Sequence, residues 1–254
     1  MRVTFLGTGT STGVPQLGCD CEVCTSADCR DRRLRTSALV DTGSERLLLD
    51  CGPDFRAQML AQPFGRLDGV LLTHEHYDHV AGLDDLRPFC RFGDVRIFGE
   101  RRVLRAVREM LPYCFRENPY PGSPRLLLEE IEAGKPFHIG RSEVMPLRVM
   151  HGDLPILGFR IGPLAYITDM TATPAETVLG GVDKLVVNGL RHEPHATHQS
   201  LDEAIGVARR VGARRTWLVH LSHQAGRHAA LEETLPDGVH VAFDGLTIEV
   251  DAAS

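Results

Sequence analysis

The chain reads as many short apolar runs separated by polar, glycine-bearing turns and broken by fewer, longer segments with helical spacing. The runs that predict strands are Val3–Gly7, Thr36–Asp41, Arg46–Asp50, Gly69–Leu72, Val95–Phe98, Val144–Val149, Leu157–Ile161, Leu164–Ile167, Lys184–Val187, Trp217–Val219, Val239–Phe243 and Thr247–Val250. Several are apolar throughout instead of alternating, as in strands covered on both faces. Helical spacing predicts helices over Asp54–Ala61, Leu83–Cys90, Arg101–Leu111, Pro174–Leu179, Leu201–Val211 and Ala225–Leu235, with Thr173 as a cap before Pro174. Strands outnumber helices about two to one, which favours an α/β architecture of two packed sheets covered by helices over a doubly wound sheet. The 254 residues contain no linker, repeat or low-complexity stretch, and are read as a single domain, 1–254.

Composition narrows the function classes. With 43% hydrophobic and 24% charged residues the chain is that of an ordinary globular protein, and its net charge of −6 argues against stable nucleic-acid binding. No apolar run approaches the ~20 residues that span a bilayer, and the N-terminus carries no secretory pattern. The expected location is the cytoplasm, with no membrane partner. Of seven cysteines, Cys19, Cys21, Cys24 and Cys29 are clustered, a distribution that suits metal binding in a reducing compartment better than a disulfide framework.

Chemistry concentrates after the run Gly69–Leu72, where Thr73-His74-Glu75-His76-Tyr77-Asp78-His79 brings four potential metal ligands into one loop. Three imidazoles and a carboxylate exceed what one tetrahedral ion needs from so short a segment, and suit zinc, manganese or iron. The C-x-C-x2-C run of Cys19, Cys21 and Cys24 forms a second pocket, a structural zinc site lacking a fourth ligand. Gly7-Thr8-Gly9-Thr10-Ser11-Thr12-Gly13 before it lacks the Gly-Lys-Ser/Thr of a phosphate-binding loop.

The run His74-x-His76-x-Asp78-His79 resembles the signature of the metallo-β-lactamase superfamily. That resemblance implies an αββα four-layer sandwich with a dinuclear metal site at one edge. It also implies further ligands, each just past an apolar run: His151, the bridging Asp169, and His220. The first ion would take His74, His76, His151 and Asp169, and the second Asp78, His79, His220 and Asp169. Asp50, in Asp50-Cys51-Gly52, matches a strand-end Asp-x-Gly that hydrogen-bonds a ligand histidine in the family; a plain turn aspartate fits the sequence equally well.

Gly7-x-Gly9, Gly13-Val14-Pro15, the cysteine cluster, Arg35-Thr36-Ser37, His220-Leu221-Ser222-His223-Gln224 and Phe243-Asp244-Gly245 together are similar to the PhnP-type phosphodiesterase branch. In that branch the fourth ligand of the structural zinc is the histidine at position 223, whereas local spacing slightly favours Cys29. The resemblance implies two divalent active-site metals, zinc or manganese, one structural zinc, and a homodimer. The expected activity is hydrolysis of small, including cyclic, phosphodiesters by a metal-bridging hydroxide. Asp78 and Asp169 form the core of the site, and His198 is the general acid, although a capping surface histidine is the plainer alternative. His192 and His195 are read as solvated loop residues, and His138, His228 and His240 as structural or exposed. Rival readings are a thioester, lactone or sulfate-ester hydrolase on the same scaffold, and a metal-binding assembly protein without turnover.

Overall fold

The computed structural model describes residues 1–172 and 179–251. Among the described residues, fourteen strands form two seven-stranded sheets. The first runs, in spatial order, β14 (Thr247–Glu249), β1 (Arg2–Gly7), β2 (Ser37–Asp41), β3 (Arg46–Leu49), β4 (Gly69–Leu71), β5 (Val95–Gly99) and β6 (Leu126–Glu130). The second runs β13 (Val239–Val241), β12 (Arg215–Val219), β11 (Lys184–Asn188), β10 (Leu164–Ile167), β9 (Leu154–Ile161), β8 (Ser142–His151) and β7 (Phe137–Ile139). In each sheet a run of four strands is parallel, β3 to β6 and β10 to β13, and the rest pair antiparallel.

The uninterrupted apolar runs have a direct explanation in this arrangement. Alternate residues of one strand enter different cores. Leu47 and Leu49 of β3 face the second sheet, in a cluster with Val3, Phe5, Phe159, Tyr166 and Trp217. Leu48, between them, points outward to Phe55, Leu83, Leu86 and Val103 of the helical layer. In the second sheet Tyr166 and Val186 turn inward, and Ala165, Ile167, Leu185 and Val187 turn outward. The outer layers are α1 (Phe55–Leu60), a 3-10 segment Leu83–Phe92 and α3 (Arg101–Met110) on one side, with α4 (Leu201–Val211) and α5 (His228–Thr234) on the other. The short α2 (Tyr77–Val80) lies inside the histidine motif. The architecture is the αββα sandwich.

Differences from the expected elements are local. Strands β6 and β7 escaped the sequence reading because β6, Leu126-Leu127-Leu128-Glu129-Glu130, is a half-exposed edge strand and β7 has three residues. Pro88 removes a backbone donor inside Leu83–Phe92, which winds as 3-10 instead of α. The helix expected over Ala225–Leu235 divides at Gly226, whose φ of 92° no helix accommodates. The helix expected over Pro174–Leu179 lies outside the described residues except for Leu179.

Helix α4 begins with a full capping box: the Ser200 hydroxyl accepts from the Glu203 N–H at 3.3 Å, and the Glu203 carboxylate accepts from the Ser200 N–H at 2.8 Å. This cap ends the loop that carries His198. Ser200→Ala is therefore expected to lower stability by ~1 kcal/mol. The effect of Glu203→Ala should be less than additive with it, since either change breaks the same box. Urea unfolding of the two single variants and the double variant checks this.

Candidate metal centre

Among the described residues, three other than glycine have backbone in the left-handed region: Asp50 at φ 59°, Asp169 at 58° and His220 at 57°. They follow the last residues of β3, β11's neighbour β10, and β12 at one end of the sandwich. Such conformations are uncommon outside glycine and cost on the order of 1–3 kcal/mol each, so the packing around them must hold them in place. The strands thus deliver three functional side chains to one rim.

The loop after β4 supplies the rest. Asp50, fully buried, accepts from the Thr73 N–H at 2.8 Å and from His79 Nδ1 at 2.8 Å, and the Ser37 hydroxyl donates to its carbonyl at 2.9 Å. Burial pushes its carboxyl up, and His79 and Thr73 oppose that push. Gly52 is the close-approach point of the same turn: a Cβ there would lie 2.0 Å from the Asp78 carbonyl oxygen. The Asp50-x-Gly52 turn therefore orients the ligand loop, and is not a generic turn.

The histidine hydrogen bonds fix which nitrogen faces the centre. His79 Nδ1–H donates to Asp50, which turns Nε2 towards Asp78 and Asp169. His151 Nδ1 lies 2.7 Å from the Thr197 carbonyl, which can only accept, so His151 also presents Nε2. The Thr73 hydroxyl donates to Asp50 and so accepts from His74 Nδ1 at 3.0 Å, which turns the Nε2 of His74 to the centre, 2.9 Å from His76 Nδ1. Both ring nitrogens of His220, and Nε2 of His79, are buried without a hydrogen bond.

Ligand atoms of His74, His76 and His151 lie within 4.8 Å of one another, as do those of Asp78, His79, Asp169 and His220. Asp169 also groups with His151 and His198, which places its carboxylate between the two sets. Its Oδ1 is 3.2 Å from His220 Nε2 and 3.1 Å from His198 Nε2, and its Oδ2 is 3.3 Å from His79 Nε2. Burial raises the Asp169 carboxyl, but His220 and His79 outweigh it and hold it well below the usual range. Burial pushes His220 down to about 4 and His74 well below the ordinary histidine range. Imidazole nitrogens converging with the Asp78 and Asp169 carboxylates suit a divalent cation in one set, and the three imidazoles of His74, His76 and His151 suit one in the other. All seven residues expected as active-site ligands are thus brought together.

At the thiol cluster, Cys19 Sγ and Cys21 Sγ each lie 3.3 Å from His223 Nδ1, and Cys24 joins them. Cys29 is exposed and outside the group, so the geometry favours His223. The connection is built by backbone: Thr10 N donates to Leu221 O at 3.0 Å and Leu221 N to Thr8 O at 3.0 Å, pinning the N-terminal loop beside the segment from His220 to His223. The loop's own core is only Val14, Val23 and Cys24, with Cys19 and Cys21 against it. So small an apolar cluster leaves the loop dependent on another staple, and three thiols with one imidazole suit zinc.

The remaining histidines separate cleanly. His192 and His138 are exposed; His240 pairs with Glu232, and the buried His228 receives Arg33. His195, expected as a solvated loop residue, instead contacts His198 with Nδ1 atoms 3.3 Å apart. No spacing rule marks such a contact, because it depends on how the loop folds back.

A family model for the beta-lactamase superfamily domain matches residues 45–221, a span that contains the seven clustered ligands. A solved diphosphatase of the PhnP family is 35% identical, with a TM-score of 0.92, over 100% of this chain and 99% of that one. The chain belongs to the metallo-β-lactamase superfamily and, within it, to the PhnP family. An octanoyltransferase of Porphyromonas gingivalis (strain ATCC BAA-308 / W83) is 47% identical over 99% of this chain but only 52% of its own length. The coenzyme PQQ synthesis protein B of Methylobacterium nodulans is 36% identical over 42% of this chain and 40% of its own. The chain thus spans about half the length, or less, of these curated relatives. Zn2+-bound PqqB of Methylobacterium extorquens, 23% identical with a TM-score of 0.78, shares the fold. Among the described residues no helix is long and apolar enough to cross a membrane.

Two metal predictions follow from the separation of the clusters. Asp169→Ala should lower the metal content of the histidine–aspartate clusters and leave metal bound at the thiol cluster, as read by elemental analysis; equal loss from both would mean the two sites are not independent. His223→Ala should weaken zinc retention and lower the melting temperature, whereas Cys29→Ser should change neither.

Proposed function

We propose that the protein is a dinuclear-metal phosphodiesterase acting on small phosphodiesters, cyclic ones included, with His198 as general acid. The observation that carries this reading is the placement of His198. Its Nε2 is 3.1 Å from Asp169 Oδ1, the carboxylate between the two ligand sets, and its ring stacks on His220 at 5.0 Å. A proton donor beside a dimetal centre suits a reaction whose leaving group is a poor one, such as an alkoxide.

His74, His76 and His151 would hold one divalent ion, and Asp78, His79 and His220 the other, with Asp169 shared. Bound, zinc or manganese supplies Lewis acidity to phosphoryl oxygens and makes water nucleophilic near neutral pH. The chain's own contributions are orientation and proton transfer. Asp50 and Thr197 fix the rings of His79 and His151, and Asp78 and Asp169 set the charge of the site. His198 delivers a proton from Nε2 to the departing oxygen as the P–O bond breaks. A structural zinc on Cys19, Cys21, Cys24 and His223 would hold the N-terminal loop. Seven free cysteines, three of them at that site, suit a reducing cytoplasm. The proposed partner is the small diester alone, with neither membrane nor stable nucleic-acid binding, and the proposed assembly is a homodimer.

A second reading, acyl transfer or thioester hydrolysis at the same centre, is favoured by the name of the Porphyromonas gingivalis relative, and by nothing in the arrangement of His198. A metal-reconstituted screen of diesters, diphosphates, lactones and thioesters separates the two. His198→Ala should retain both active-site ions and lose roughly 10²–10⁴ in turnover on diesters with alkoxide leaving groups. The loss should shrink for p-nitrophenolate, which departs without a full proton. Equal loss on both substrates would move His198 to substrate positioning, and no loss would return the acyl reading to the front.

A further inference from the structure

Residues 191–200 form a loop closed at its neck by backbone hydrogen bonds. Leu190 N donates to Gln199 O at 2.9 Å and Leu201 N to Arg191 O at 2.9 Å. Gln199 N donates to Met170 O at 3.0 Å, which hangs the loop beside Asp169. The Thr197 carbonyl accepts from His151 Nδ1 and from the Thr171 hydroxyl, each at 2.7 Å. The loop is thus fixed against the metal-ligand set at two points.

Within it, the Thr197 N–H donates to His195 Nδ1 at 3.3 Å. A backbone N–H has no acceptor capacity, so His195 Nδ1 carries a lone pair and the proton of that ring sits on Nε2. The same atom is 3.3 Å from His198 Nδ1, and the Thr197 hydroxyl lies 3.0 Å from His198 Nδ1 and 3.3 Å from His195 Nδ1. Two lone pairs cannot face one another at such a distance. A hydrogen bond between the two rings therefore requires the proton on His198 Nδ1, donating to His195 Nδ1, with the Thr197 hydroxyl beside both atoms. The other nitrogen of that ring, Nε2, lies 3.1 Å from Asp169 Oδ1. Burial, then His198 and Arg191, hold His195 below the ordinary histidine range, in keeping with an acceptor that stays neutral.

We infer that His195 is a positioning residue, whose Nδ1 lone pair, with the Thr197 hydroxyl, holds the Nδ1 proton of His198 so that proton transfer runs through His198 Nε2. The inference rests on His198 acting as the acid. As the P–O bond breaks, the imidazolium gives its Nε2 proton to the leaving oxygen, remains as the neutral Nδ1–H tautomer, and is reprotonated at Nε2 from solvent. A nucleophile or base held by a third group is a general arrangement. Here the third group is a neutral imidazole in place of a carboxylate, so it orients His198 without adding negative charge beside an anionic substrate.

The test uses the zinc-loaded protein with two substitutions at one position. His195→Phe keeps a ring and removes the acceptor, and His195→Asn restores an acceptor oxygen near the Nδ1 position. In 15N spectra of the imidazoles, His198 Nδ1 should carry a proton in wild type and in His195→Asn, and only part of the population should carry it there in His195→Phe. His195→Phe should lower kcat on alkoxide diesters about 10–100-fold, the range seen when the orienting partner of a functional histidine is removed, with KM and metal content unchanged. The loss should shrink for p-nitrophenolate, be recovered in His195→Asn, and vanish in a His198→Ala background, where there is no Nδ1 proton to hold. Equal slowing of both leaving groups, losses that multiply with those of His198→Ala, or unchanged protonation of His198 Nδ1 in His195→Phe would each overturn the inference. If His198→Ala itself shows no dependence on leaving group, the general-acid reading fails. The 15N comparison then still decides the His195 contact by itself.

Discussion

A buried carboxylate organises this molecule. Asp169 is 2% exposed, its backbone is left-handed, and its two oxygens face three different histidines. An ionised group so far from water costs several kcal/mol unless opposite charge and hydrogen bonds surround it. The Thr168 hydroxyl supplies one bond, at 2.6 Å, His198 Nε2 a second contact, at 3.1 Å, and the imidazoles of His79 and His220 face the same carboxylate. The protein spends its stability on holding these groups together, which makes sense only for a centre that binds cations.

The sandwich meets that constraint by placing ligands at strand ends instead of within strands. Asp169 and His220 lie past β10 and β12, His151 closes β8, and Asp50, which orients His79, lies past β3. Inner-face residues such as Leu49, Tyr166 and Val219 belong to one shared core, so the two sheets cannot shift relative to each other without disturbing it. The distances at the rim are therefore inherited from the packing behind it. The N-terminal loop is held more weakly, by backbone pairing beside Leu221 and by the thiol cluster on His223, three residues beyond His220. What steadies that loop also steadies the segment carrying the last ligand.

Much of this was readable from the chain because the governing signals are local. The ligand run His74–His79 is contiguous, and His151, Asp169 and His220 each follow an apolar run whose end marks a rim position. The two-sided strands declared themselves as unbroken apolar stretches. The residues that were not readable act through contacts with no sequence period. The half-exposed β6 lacks an apolar run, and Pro88 changes the winding of a segment whose apolar spacing still looks helical. Local spacing pointed to Cys29, and only the family resemblance pointed to His223, which lies 199 positions beyond Cys24 (223 against 24) and arrives through strand β12. Asp50 looked equally like a turn residue until the Asp78 carbonyl was seen against Gly52.

His195 shows most clearly where sequence reasoning stops. A histidine in a polar, proline-containing loop is usually solvated, and nothing in Arg191-His192-Glu193-Pro194-His195 distinguishes the last histidine from His192. The distinction arises two residues later. The Thr197 carbonyl binds the metal-ligand histidine His151, its amide binds His195, and its hydroxyl lies within reach of both His195 and His198. One threonine therefore joins a metal ligand to the proposed acid through three different atoms. Because the amide and carbonyl belong to the backbone, replacing its side chain would leave the His151 contact and the amide bond to His195 intact while removing the hydroxyl. The ligand orientation and the acid orientation are thus chemically separable at one residue, although the same loop carries both.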